Sequence, residues 1–142
     1  MSKLTLEQCE EREQLVFHRP YNLKNYELGG ICRFDCLDVD TAEKLVALGY
    51  VDPEDSQNSS PTAREMIDFC AAYRGEEEGD PGLFYLHGYV VSPNRGDCRI
   101  TFEGVASDAG LTADEAIDFV SAFRFADELT FGVNEPAYCW YD

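Results

Sequence analysis

The sequence predicts an α+β fold: a small, mostly antiparallel sheet centred on a 83–91/98–103 hairpin, with three to four helices packed mainly on one face. Residues 83–91 (LFYLHGYVV) are apolar on both faces, as in a central strand. Residues 98–103 (CRITFE) alternate apolar and polar side chains after the turn-forming run SPNRGD. Capping-box spacings at 62–65 and 112–115 predict the starts of two helices.

The N-terminal elements are less regular. Residues 5–14 predict a short helix capped by Thr5. The apolar run 15–18 predicts a short strand that ends at Arg19-Pro20. Residues 31–34 (ICRF) follow a glycine turn and form a weaker strand candidate.

A second helix is predicted to begin at Asp40 or Thr41 and to end at Gly49, where a C-cap glycine belongs. A polar loop then leads to the helix 62–74. An acidic, glycine-rich connection over 75–82 separates that helix from the hairpin.

In the second hairpin strand, alternation predicts that Cys98, Ile100 and Phe102 point inward, and that Arg99, Thr101 and Glu103 point outward. Beyond the hairpin, we expect a helix from Thr112 to about Phe125 and a weak strand over 129–133. The aromatic tail 138–141 is expected to pack down on the domain.

The helices 62–74 (TAREMIDFCAAYR) and 112–124 (TADEAIDFVSAFR) share eight of thirteen residues at a constant offset of fifty. Their apolar stripes and capping boxes follow from packing alone. Packing alone does not require the other shared residues, Asp68/Asp118 and Arg74/Arg124. Two interpretations remain open: an internal duplication, or two independently packed amphipathic helices.

The net charge restricts the possible classes of binding partner more than any sequence motif does. The 142 residues fit one domain, 1–142, and contain 28 acidic and 11 basic side chains, for a net charge of −17. Such a chain lacks the basic footprint needed to bind nucleic acid or an anionic membrane directly. A basic protein is the natural partner, although acidity can also serve solubility alone.

The sequence also bears on location and cofactors. The chain has no apolar leader at its start and no run of about 18 apolar residues, so we expect a cytoplasmic protein. The six cysteines are scattered and are expected to be reduced thiols. Cys32 and Cys36 lack the CxxC spacing and the second ligand pair of a zinc site, and we expect no metal or cofactor.

Catalytic signatures are weak. The chain has two histidines and neither a GxSxG nor an HExxH motif. His87 lies in the apolar strand and precedes Gly88, so a small enzyme or ligand-binding domain with a pocket near His87 is the second hypothesis. A closed apolar pocket lined by His87 and a cysteine would favour it.

The leading hypothesis is a non-catalytic interaction protein of the inhibitor, immunity or nucleic-acid-mimic type, whose acidic surface engages a basic protein. A third hypothesis is an acidic, soluble protein that has no charge-specific partner. The residues expected to contact the partner are carboxylates in two segments: Glu7, Glu10, Glu11, Glu76, Glu77, Glu78 and Asp80.

Overall fold

The computed structural model describes residues 4–26, 30–56, 59–74, 82–93 and 100–141. It confirms the α+β class and the central hairpin. The helices are α1 (Leu6–Phe17), α2 (Val39–Ala47), α3 (Ala63–Ala72) and α4 (Ala113–Phe123), with a short 3-10 helix at Leu23–Asn25. The strands are β1 (Ile31–Leu37), β2 (Tyr85–Val91), β3 (Ile100–Ala106), β4 (Glu128–Thr130) and β5 (Tyr138–Trp140).

The five strands form one sheet in the order β1-β2-β3-β5-β4, and every neighbouring pair is antiparallel. The helices pack mainly on one face of it. An aromatic cluster joins α3, α4 and the start of β2: the Phe69 ring centroid lies 4.9 Å from that of Phe123 and 5.0 Å from that of Phe84. Burying each such ring contributes about 1.5–3 kcal/mol to folding.

Both predicted capping boxes are present. The Glu65 amide donates to Thr62 Oγ1 over 3.2 Å, and the Thr62 amide donates to Glu65 Oε1 over 3.0 Å. Thr112 and Glu115 repeat the same pair of bonds. These bonds satisfy amides that the first helical turn leaves without partners, so the two helices begin where the sequence predicts.

The strand predicted over 15–18 is wrong, because α1 continues through Phe17. Cys9, Glu13 and Val16 are buried at helical spacing, so the apolar run completes the inner face of a helix. His18 then ends the helix in a left-handed conformation, φ 56°, and its amide donates to Gln14 O.

A buried polar network fixes α1. Arg12 and Glu13 are 0% and 1% exposed. Glu13 accepts hydrogen bonds from Arg19 Nε over 2.8 Å and from the Tyr26 hydroxyl over 2.9 Å. The Tyr26 hydroxyl also accepts a hydrogen bond from Arg12 over 3.3 Å. Burial raises the pKa of Tyr26, so its hydroxyl stays protonated as the donor to Glu13.

Other boundaries also differ from the predictions. Helix α2 begins at Val39, because the Asp38 side chain accepts from the Thr41 amide and caps it. Strand β4 covers 128–130 and not 129–133. The tail 138–141 packs down as expected, but it does so as strand β5. Arg74 lies just past the end of α3 and pairs with Asp40 of α2.

The prediction for strand β3 is correct in part. Ile100 and Phe102 enter the core, whereas Cys98 and Arg99 lie outside the described residues. Thr101 and Glu103 point away from the core as predicted, yet both are buried. Glu103 is covered by Trp140 of β5 and by Arg33 of β1, to which it is hydrogen-bonded.

The shared residues of α3 and α4 make different contacts. Asp68 accepts from Arg64 of its own helix, whereas Asp118 accepts from the hydroxyl of Tyr73, the C-cap residue of α3. Arg124 lies over the Phe125 ring at 4.8 Å. The internal duplication therefore remains a hypothesis, with no support from these contacts.

Among the residues described, no helix is both long and apolar enough to cross a membrane.

Ile67 and Ile117 occupy equivalent positions in the two similar helices, but Ile67 is fully buried and Ile117 is 63% exposed. We expect Ile67→Ala to lower the free energy of unfolding by about 2–5 kcal/mol, because it leaves a cavity in the core. Ile117→Ala should change it by less than about 0.5 kcal/mol. Urea unfolding of both variants measures this, and equal losses would contradict the assigned environments.

Candidate functional site

An open cleft of about 960 Å³ lies against the face of the sheet opposite the hydrophobic core. Side chains of β1, β2, β3 and β5 form its floor, and residues 106–108 and 135–137 contribute to its walls. Its position follows from strand alternation: Leu86 and Val90 of β2 point into the core, so His87 points to the opposite face.

Two β-bulges meet at the centre of this cleft. Opposite His87 and Gly88, β1 has one extra residue between Phe34 and Leu37, and β3 has an extra residue at Glu103. A bulge breaks the alternation of side chains and redirects them. As a result, the consecutive residues Asp35 and Cys36 both line the cleft.

His87 is held at two points. It is 6% exposed, its Nε2 lies 2.6 Å from the carbonyl oxygen of Cys139, and its ring stacks nearly parallel on Tyr138 at 4.9 Å. Since a carbonyl only accepts, Nε2 carries the proton and donates it. Burial lowers the pKa of His87 from its usual 6.5, so the ring is neutral at pH 7.

Gly104 and Gly88 allow this packing because they lack side chains. A Cβ on Gly104 would overlap the Cys139 carbonyl oxygen and lie 2.7 Å from His87 Nε2. A Cβ on Gly88 would overlap the Thr101 carbonyl oxygen. A real Cβ atom could not come so close to either carbonyl oxygen. Strand β5 can therefore approach β3 as it does only because position 104 is glycine.

Glu103 is the buried anion of the cleft, with a side chain that is 6% exposed. One of its oxygens pairs with the Arg33 guanidinium, and the other accepts from Trp140 Nε1 over 3.1 Å. Arg33 is the only basic residue among the described residues that line the cleft. Its charge is therefore already matched by a carboxylate inside the cleft.

Three further carboxylates line the cleft and are exposed: Asp35, Asp108 and Glu135. The Tyr85 hydroxyl bonds to Asp108, and burial together with this bond raises the pKa of Tyr85. With Arg33 paired and His87 neutral, these carboxylates leave the cleft with an excess of negative charge. Tyr85, Tyr138 and Trp140 place aromatic rings beside them.

The geometry does not resemble a nucleophilic or acid–base site. The His87 Nε2 proton is engaged by a backbone carbonyl. Burial and the charges of Asp35 and Asp108 raise the pKa of the Cys36 thiol, which disfavours the reactive thiolate. In the described part of the chain, no group of three or more His, Cys, Asp or Glu side chains could hold a metal ion. The arrangement is suited to holding a cationic group.

Of the residues predicted to contact a partner, those on α1 are not part of the cleft lining. On α1, Glu7 is exposed, but Glu10 accepts from the Tyr21 amide and Glu11 accepts from the Tyr50 hydroxyl over 2.6 Å. These two carboxylates therefore also hold α1 in place. The remaining predicted residues, Glu76, Glu77, Glu78 and Asp80, lie outside the described residues.

Sequence reasoning located His87 and missed the carboxylates around it. Asp35 directly follows the predicted strand 31–34 and lies next but one to Arg33, which is the one signal that would place it on the same sheet face. Asp108 and Glu135 lie in connecting segments, where nothing in the local pattern marks them. Tyr138 and Trp140 were hidden because β5 is too short to show a strand period.

We expect the pH dependence of stability to report the burial of His87. Its pKa is lowered in the folded state, so below about pH 6.5 the unfolded chain binds more protons, and the free energy of unfolding falls as pH decreases. His87→Gln removes this contribution, while its amide still donates to Cys139. Urea unfolding between pH 7.5 and 5.5 should show a steeper loss in the wild type, by at most about 1.4 kcal/mol per pH unit. Parallel profiles would contradict the assignment.

Gly104→Ala should lower the free energy of unfolding by about 1–3 kcal/mol, because its methyl group forces β5 away from β3. Gly49→Ala is the control, since φ is +86° there and no atom lies within 4 Å of the added Cβ. It should cost about 1 kcal/mol from backbone conformation alone. The sole tryptophan, Trp140, lies on β5, so native fluorescence should change only in Gly104→Ala. An unaltered spectrum there would count against the close approach.

Searches of protein-family models, of curated proteins and of solved structures found no match to this chain. Any functional proposal must therefore come from the chemistry of its own residues. For the described part of the chain, that chemistry is an open, carboxylate-rich and aromatic cleft on an antiparallel sheet.

Proposed function

We propose that this is a non-catalytic interaction protein whose acidic surface binds a basic partner protein, and that the cleft receives a lysine or arginine side chain of that partner. The observation that supports this most directly is the lining of the cleft. Asp35, Asp108 and Glu135 are exposed in it, and the one basic residue of its described lining is already paired with Glu103.

The aromatic residues add a second source of affinity for cations. One face of Tyr138 stacks on His87, while the residue as a whole remains 37% exposed. A guanidinium or ammonium group over an exposed ring gains about 0.5–1 kcal/mol, and more when it is desolvated. Carboxylates beside the ring add charge-assisted hydrogen bonds.

The overall charge supports the same proposal through association kinetics. A chain of net charge −17 attracts a basic surface over distances comparable with the Debye length, which raises the rate of encounter. The acidic segment with Glu76, Glu77, Glu78 and Asp80 would contribute to this attraction, as would Glu7, Glu10 and Glu11. An inhibitor, an immunity protein and a nucleic-acid mimic all use carboxylates in this way, the last by occupying a site built for phosphates.

A second candidate function is the binding of a small cationic molecule near His87. The size of the cleft, about 960 Å³, favours it, because ligand pockets commonly fall in this range. A polyamine has the required charge and length. The cleft is lined by His87 and Cys36 but is open, and an open cleft supports binding better than it supports an enclosed reaction.

We expect the triple variant Asp35→Asn/Asp108→Asn/Glu135→Gln to weaken capture of a basic partner at least tenfold, and to reduce the salt dependence of capture. The control Glu43→Gln/Glu54→Gln/Asp68→Asn removes the same number of charges from exposed positions outside the cleft lining. Immobilised protein would be incubated with lysate of the source organism and washed with a salt gradient, and affinity would then be measured by calorimetry with the purified partner.

Several outcomes would count against the proposal. If no protein is retained at low salt, the hypothesis that the acidity has no specific partner gains instead. If both triple variants lose affinity equally, net charge acts without the cleft. Binding of spermine to the wild type alone, with no protein captured, would favour the small-molecule function.

A further inference from the structure

A second concave surface lies on the other side of the segment that borders the cleft. It is an apolar groove of about 390 Å³ between α4 and residues 131–133, and its main side chains are Ile117, Val120, Phe131 and Val133. Ile117, Phe131 and Val133 are 63%, 47% and 57% exposed.

These side chains are not needed for the core. The inner face of α4 is formed by Ala116, Phe119 and Phe123, which are buried in the hydrophobic core. Ala113, Ile117 and Val120 recur at i, i+4 and i+7 on a different face of the helix. Large apolar side chains that gather at one exposed site, beyond what the core requires, are typical of an interaction surface.

The groove is preformed by backbone contacts. The Asn134 amide donates to Leu111 O over 2.7 Å, and the Leu111 amide donates to Glu135 O over 3.1 Å. At Gly110 an added Cβ would lie 2.6 Å from the carbonyl carbon of Asn134, so the two segments touch through their backbones. A preformed groove spares a ligand the entropic cost of ordering it.

The part of the chain that forms the groove is acidic in composition. Residues 113–133 contain five acidic side chains and one basic one, Arg124. Asp114 is exposed beside Ala113 at one end of the groove. The Glu135 carboxylate lies beside Gly132, where an added Cβ would be 2.6 Å from its Oε2. A second copy of this chain would bring like charges together here, whereas a basic segment would meet complementary charge.

We propose that this groove docks a segment of a partner protein in which two or three apolar side chains are flanked by lysine or arginine. The proposal rests on the proposed function in one respect, that the partner is basic. Thr130, Glu135 and Pro136 line the cleft, and residues 131–133 line the groove. One partner can therefore contact both sides of the segment 130–136, with a cation in the cleft and apolar side chains in the groove.

The test uses the full chain, isotopically labelled for NMR, and a designed amphipathic peptide of leucine and lysine. We expect amide shifts over 113–121 and 131–133, and a dissociation constant that rises roughly tenfold or more in Ile117→Ser/Val133→Ser. The matched control is Leu23→Ser/Leu48→Ser, which changes two exposed apolar residues outside the groove lining. It should leave binding unchanged.

Two altered peptides separate the apolar contribution to binding from the contribution of charge. Replacing leucine with serine should abolish the shifts at 131–133, and replacing lysine with glutamate should weaken binding strongly. Equal binding of the serine peptide would show a response to charge alone and overturn the proposal, as would equal binding of the glutamate peptide. Self-association of the free chain that Ile117→Ser/Val133→Ser removes would assign the groove to a second copy and overturn it too.

A double cleft variant distinguishes this proposal from the proposed function. Asp35→Asn/Asp108→Asn removes two carboxylates of the cleft and keeps both Glu135 and the apolar lining of the groove, so the amphipathic peptide should still shift residues 113–121. If the peptide still shifts these residues, while a partner protein no longer binds the cleft variant, then the groove and the cleft both bind. If the peptide fails on the wild type but the cleft variant still loses its partner, the groove proposal alone is wrong.

Discussion

The paired bulges around His87 and Gly88 are the constraint on which the rest of the sheet depends. The bulge in β3 places Gly104 where β5 approaches, and the absence of a side chain lets the Cys139 carbonyl reach His87. Strand β4 pairs only with β5, so its position follows from the same contact. The cleft and the groove both border the segment between these two strands, and neither would exist if β5 were displaced.

Local sequence patterns predicted the elements whose signals are complete within a few residues. Capping boxes at Thr62 and Thr112 placed two helices, and the apolar run of β2 with the alternation of β3 placed the central hairpin. The same logic was wrong at residues 15–18, where three apolar residues followed by a histidine resemble a strand when taken alone. Their role depends on Glu13 and Cys9, which lie one and two turns before Val16 and make this run the end of a helical face.

The candidate site was less predictable because bulges break the period on which prediction relies. Asp35 and Cys36 lie side by side in the cleft, although simple alternation would put them on opposite faces. Glu103 was expected to face solvent, and it instead forms the buried anion between Arg33 and Trp140. Its burial needs β5, a three-residue strand that becomes stable only when it pairs with distant residues.

The hydrogen bond between His87 and Cys139 has a consequence for how the chain folds. It joins residues 52 apart in sequence, and β5 pairs with β3 through the single register pair Ala106 and Tyr138. Closing so long a loop costs entropy before any contact compensates for it. The hairpin of β2 and β3 and the capped helices are local by comparison, so they can form first. We expect the C-terminal strand to dock late in folding, and the cleft to be completed only in that last step.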